Sequence, residues 1–179
     1  MIMKFYRLSL LCLFVIALFS FNSCSDDEPA APQYVDYVYG VEVLDGYTLI
    51  YDITCSYTNI FTNELETKTV GNLGESSFSG RGEGTPKAKE VVFKVEGKLK
   101  PNAKELVEEA IAKHRRFSIG YKCRGKAYVY SDPECTNFVK ELFSFHRSSE
   151  VSESDAESLK YYIDNYPTIE IYEIHHPVN

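Results

Sequence analysis

From Val35 to Tyr57, apolar and aromatic side chains fall at every second position: Val35, Tyr37, Tyr39, Val41 and Val43, then Tyr47, Leu49, Tyr51, Ile53, Cys55 and Tyr57. A period of two gathers side chains on one face of an extended chain, whereas a helix would scatter them, so two half-buried strands are predicted here. A two-residue turn at Asp45 and Gly46 would turn the two apolar sets to opposite faces. A three-residue loop, Leu44 to Gly46, with Gly46 left-handed, pairs 43 with 47, 39 with 51 and 35 with 55 and keeps them together. The expectation is a hairpin whose polar face carries Asp36 and Asp52.

The remaining pattern is mixed. Residues 65 to 70 read as a polar edge strand. Residues 71 to 84 hold five of the ten glycines and three serines, which predicts a long mobile loop. Alternation returns at 89 to 99. Asn102 and Glu105 then open a helix whose stripe is Leu106, Val107, Ala110, Ile111 and His114. Residues 117 to 123 and 127 to 130 read as strand, with a bulge or turn at Gly125. Ser131, Asp132, Pro133 and Glu134 predict a helix start, followed at helical spacing by Cys135, Phe138, Val139, Leu142, Phe143 and His146. A linker over 148 to 154, a helix from Ser154 to about Tyr166 and a last strand over 168 to 175 complete the chain. Together these predict an α+β fold, a largely antiparallel sheet with about three helices packed on one face.

At the N-terminus, Lys4 and Arg7 precede an almost continuously apolar run over residues 8 to 21, then Asn22, Ser23 and Cys24. The run falls short of the roughly 20 residues that a bilayer-spanning helix needs and reads as a secretory signal peptide. A Cys directly after a small residue at the end of such a run resembles the lipobox of bacterial lipoproteins. The acidic stretch Asp26, Asp27 and Glu28, followed by Pro29 and Pro32, resembles the export signal of Bacteroidota-type surface-exposed lipoproteins. The resemblance implies cleavage before Cys24, lipid on its thiol and an outer-membrane, surface-exposed position. The chain then divides into a signal peptide over 1–23, an acidic tether over 24–33 and one domain over 34–179. Without residues 1–23, 17 Lys and Arg face 26 Asp and Glu, a net charge of −9 that argues against nucleic-acid binding.

Catalytic and metal-binding patterns are weak. His175 and His176 are adjacent, but neighbours on a strand point to opposite faces and cannot share one ion. There is no HExxH, CxxC or EF-hand loop. The glycines at 80, 82 and 84 lack the strand before and helix after that a phosphate loop requires, and Gly74 to Phe78 does not have the spacing of a nucleophile elbow. Asp36 and Asp52 share a face in the predicted hairpin, yet exposed carboxylates do not make a general acid. No cofactor is implied. Of Cys55, Cys123 and Cys135, at most two can form an internal disulfide, and Cys123 is not expected to bond Cys135 because the strand between them separates the two.

Charge is strongly partitioned. Residues 87 to 126 carry twelve Lys and Arg against five Asp and Glu, so the rest of the mature chain is net −16. On a strand, Lys122, Arg124, Lys126, Tyr128 and Tyr130 share one face, with Lys94 and Lys98 expected on a neighbouring strand. Such a strip suits an anionic glycan or an acidic protein surface. Internal pairing with residues 132 to 173, where ten acidic side chains face three basic ones, accounts for the strip as well. The leading expectation is a lipid-anchored binding or interaction module without a catalytic site. The alternative is an envelope inhibitor or immunity-type lipoprotein that neutralises a toxin or hydrolase.

Overall fold

The structure, a computed structural model, describes residues 32–71 and 74–179. The signal peptide, Cys24 and the tether as far as residue 31 lie outside the described residues. In chain order the elements are β1 (Tyr34–Val43), α1 (Asp45–Ile50), β2 (Tyr51–Thr58), β3 (Leu65–Thr69), β4 (Glu75–Glu83), β5 (Glu90–Leu99), α2 (Ala103–Ala112), β6 (Arg116–Ile119), β7 (Tyr121–Tyr130), β8 (Phe138–Ser148), β9 (Ser152–Asp155), α3 (Ala156–Asn165) and β10 (Thr168–Pro177).

Among the described residues, two antiparallel four-stranded sheets form, in the orders β4-β1-β7-β8 and β10-β5-β2-β3, with a small β6-β9 pair beside them. Alternation gives each sheet one apolar face, and the two faces pack together because neither can remain wet. Tyr39 of β1 marks the centre. Its ring lies 5.5 Å from Phe93 of β5 and 5.2 Å from Tyr57 of β2 on the opposite sheet, and 5.6 Å from Phe143 within its own. Its hydroxyl would be costly to bury unpaired and donates across the core to the Thr58 carbonyl at 2.9 Å.

The predicted α+β arrangement is corrected here: strand takes 55% of the structure and helix 18%, and the helices cover no sheet face. The reason is topological. Helix α1 links the end of β1 to the start of β2, α2 follows β5 and α3 precedes β10. All three therefore gather at one end of the sandwich. Tyr51 Oη donates to the Tyr166 carbonyl at 2.9 Å, and Lys100 Nζ to the Thr48 carbonyl at 2.6 Å, which tie them to the strand ends. Each longer helix buries one stripe there, Ala103, Val107 and Ala110 in α2 and Ala156, Leu159 and Ile163 in α3.

Three local expectations are also corrected. The hairpin over 34 to 57 does not form: after Val43 the chain leaves the first sheet, turns through α1 and enters the other sheet as β2. Asp45 holds that exit by accepting the Ser118 N–H at 2.8 Å. The predicted loop over 71 to 84 is mostly β4, paired with β1 over nine residues. Its glycines are packing sites, since a Cβ at Gly80 would stand 2.6 Å from the Tyr37 ring. The predicted helix over 131 to 146 is a tight turn followed by β8. Asp132 accepts the Thr136 N–H at 2.9 Å much as a helix cap does, but Cys135 at φ 56° reverses the chain instead of winding it.

Candidate binding face

Strand β7 lies inside its sheet between β1 and β8, and Gly125 neither bulges nor turns it. Cys123, Ala127 and Val129 are buried against the other sheet, while Lys122, Arg124 and Lys126 are exposed and Tyr128 and Tyr130 half-buried on the outer face. The register places five cross-strand rows on that face, each read from β4 through β1 and β7 to β8. They are Glu75, Glu42, Lys122 and Ser148; Ser77, Gly40, Arg124 and His146; Ser79, Val38, Lys126 and Ser144; Arg81, Asp36, Tyr128 and Glu141; Glu83, Tyr34, Tyr130 and Phe138.

The charges on this face are unevenly matched. Lys122 pairs with Glu42 at 3.0 Å, and Arg81 with Asp36 at 3.1 Å, a contact that raises the Arg81 pKa. Arg124 and Lys126 have no carboxylate partner among the described residues, and their two rows contain no Asp or Glu. An open groove of about 450 Å³ lies here, lined by Gly40, Glu42, Glu75, Ser77, Lys122, Arg124 and His146. Gly40 forms its floor: a Cβ at this position would stand 2.8 Å from Arg124 Nε and 3.1 Å from its Cγ, so the arginine stem lies across the glycine.

At the other end of β7 is an aromatic cluster. Tyr128, Tyr130 and Phe138 pack edge to face, with centroids 5.8 to 6.4 Å apart, and Phe138 is 60% exposed. Lys126 Nζ sits 5.6 Å over the Tyr128 ring, a cation–π contact. Partial burial, with Asp36 nearby, raises the Tyr130 pKa above its ordinary value.

Other sequence candidates separate. Lys94 and Lys98 lie on β5 in the other sheet, not beside β7. Asp36 and Asp52, on β1 and β2, are likewise in different sheets and form no acid/base pair. His175 bonds Glu173 at 2.9 Å, while His176 contacts the Pro177 carbonyl at 2.8 Å; no cluster of three or more metal-ligating side chains occurs among the described residues. Cys55, Cys123 and Cys135 are free thiols. Burial pushes the Cys123 thiol up to about 12 and the Cys55 thiol higher still, so neither is a ready nucleophile. Cys135 stands beyond Tyr130, roughly 23 Å or more along the strand from Cys123, far outside disulfide reach.

Sequence reasoning missed Gly40, Ser77, His146 and Phe138. Ser77 lay in the expected loop, and His146 and Phe138 on the expected helix. Gly40 alone carried a signal, as a glycine interrupting the outer face of an otherwise regular strand. No protein-family model, curated protein or solved structure matches the chain, which leaves its own residues as the guide to function.

Proposed function

We propose that this protein is a non-enzymatic binding module, lipid-anchored through Cys24 on the outer surface of the outer membrane, that receives an anionic ligand on the outer face of the β4-β1-β7-β8 sheet. The observation that carries the ligand reading is the pair Arg124 and Lys126, unmatched among the described residues, on two rows without a carboxylate, beside an open groove. Cations held without partners on a rigid sheet attract an acidic ligand and need little rearrangement to bind it. Anchoring rests on the N-terminal resemblance. A signal peptide, a cysteine after a small residue and an acidic tether would carry the domain outward on a lipid.

Two measurements test this. Cys24→Ala is expected to move the protein from the membrane fraction to the soluble one; unchanged fractionation refutes anchoring. The full chain in detergent micelles is expected to bind immobilised polygalacturonate and polyglutamate, less tightly as salt rises. Its Lys122→Ser, Arg124→Ser, Lys126→Ser triple variant should lose that binding and melt normally. Equal binding by the triple variant, or none by the wild type, ends the anionic-ligand reading.

A further inference from the structure

The face with the unmatched cations is chemically divided along a single strand. Arg124 lies over Gly40 in the groove, and Tyr128 and Tyr130 follow at four and six residues, about 13 and 20 Å away at strand rise. One end offers charge and hydrogen bonds, from Arg124, His146 and the hydroxyl of Ser77, with Glu75 and the Lys122–Glu42 pair at its edge. The other offers aromatic surface, with Tyr128, Tyr130 and Phe138 fixed against one another and Tyr34 opposite Tyr130. Rings already held in place lose little freedom when a ligand settles on them.

Carboxylates surround the cationic band and limit what can lie on it. Glu42 and Glu75 occupy the row on one side, and Asp36 and Glu141 the row on the other. Between those rows the strands run about 20 Å, and four strands are about 14 Å across, so the band is under about 300 Å². A folded protein partner of ordinary interface size covers roughly 800 Å². An acidic protein surface would therefore overlie the flanking glutamates and aspartate and meet like charge. A chain one residue wide along β7 overlies less of this acid: it passes Asp36, already paired with Arg81, and Glu141 only at the Tyr128 row. A small anion such as phosphate would fill the groove but leave the aromatic end unused.

We propose that this face is a two-part site for an acidic polysaccharide of the uronic-acid class. This deepens the anionic-ligand reading and rests on it. A carboxylate of one sugar enters the groove over Gly40 and pairs with Arg124, with Lys126 alongside. The apolar face of a sugar three or four units further along rests on the Tyr128, Tyr130 and Phe138 cluster. Such a polymer carries both a carboxylate and a ring in every unit, the combination that one strand here displays in sequence.

The test uses the full chain in detergent micelles with three probes: hexagalacturonate, its methyl ester, in which the carboxylates are neutral, and hexaglutamate. Hexagalacturonate is expected to bind at least tenfold more tightly than either of the others. Arg124→Gln with Lys126→Gln should weaken it tenfold or more. Tyr128→Ala with Phe138→Ala should weaken it by about tenfold while leaving hexaglutamate binding unchanged. Tyr128→Phe keeps the ring and should retain binding, which separates loss of stacking from loss of fold, and melting curves check each variant. If hexaglutamate binds as tightly as hexagalacturonate, or the aromatic variant binds both equally well, the glycan assignment is overturned and the anionic face stands. If no acidic probe binds, both fall.

Discussion

The two sheets present outer faces built to the same plan, yet their charges are handled in opposite ways. On the β10-β5-β2-β3 face, Lys94 meets Glu96 at 3.0 Å and both Glu170 and Glu173 at 3.4 Å, and Asp52 stands opposite Lys98 in the register. Lys94 is thereby consumed within the fold, while Lys98 faces its acid in register without an ion pair among the described residues. On the β4-β1-β7-β8 face, Arg124 and Lys126 are left without carboxylate partners among the described residues, beside a groove and an aromatic cluster. The same cation-rich segment of sequence supplies both, since residues 87 to 126 contain β5 and β7. A lysine or arginine count therefore does not locate a binding surface. What decides it is whether the neighbouring strand brings acids.

The shared interior should show the largest effect and treat both faces alike. Phe93→Ala removes a ring that is fully buried and lies 5.5 Å from both Tyr39 and Phe145, and is expected to cost about 3 to 5 kcal/mol in denaturant unfolding. One cooperative transition observed by probes on both sheets is the expected outcome; two separate transitions would mean that the sheets fold independently.

The contrast between faces is tested next by removing charge. Lys94→Ser strands three carboxylates on one face and should lower the melting temperature, whereas the triple serine variant of Lys122, Arg124 and Lys126 should melt close to wild type, because Arg124 and Lys126 make no ion pair among the described residues and the single exposed pair of Lys122 with Glu42 contributes little to folding. A reversed ranking would mean that the β7 strip is internal architecture. Acid sharpens the same contrast. Contacts with His175 and Lys94 hold the Glu173 carboxyl below its usual value, so its contribution is present above the unfolded pKa and fades as pH falls through the lower, folded one. The difference between wild type and Lys94→Ser should therefore shrink on acidification, as read by melting curves at successive pH values.

A smaller effect is expected at the groove. In Gly40→Ala the new methyl would press on Arg124, and the flexible arginine stem can swing aside, so folding should change by no more than about 1 kcal/mol. Binding of hexagalacturonate should weaken several-fold. Unchanged affinity would show that the arginine need not lie across the strand. Smallest of all is a single titration. Glu173 and Glu90 raise the His175 pKa, so its NMR midpoint should lie above that of an ordinary histidine. The favourable pairing is present at low pH and is lost as pH rises through that midpoint, and Glu173→Gln should bring the midpoint back down.

Much of the local structure was legible from side-chain period. The alternation of β1, β2, β5 and β7 marked them as strands, the apolar stripe of α2 marked it as a helix, and the capping residues before α3 with Pro167 after it marked that one. Errors fell where one signal serves two structures. Asp132 followed by Pro133 opens helices and turns alike, and the hydrogen bonds Asp132 makes in the turn resemble those of a cap. Glycines at 80 and 82 suggested mobility, whereas Gly80 is needed beneath Tyr37 and Gly82 beside Phe61. Alternation over 47 to 50 continued the strand pattern on paper, but four residues are too few to separate the two periods, and they complete α1.

Local pattern was enough to show which residues of β1, β2, β5 and β7 face inward, how charge is divided along the chain, and the N-terminal pattern on which anchoring rests. These are local properties, set by a residue and its near neighbours. Packing of the two sheets was needed to place β1 between β4 and β7 and away from β2, Lys94 against three glutamates, and Arg124 against Gly40. Strand partners are chosen by how Tyr39, Phe93, Phe143 and Phe145 fill one core between two sheets. That choice joins residues tens of positions apart and leaves no periodic trace in the chain.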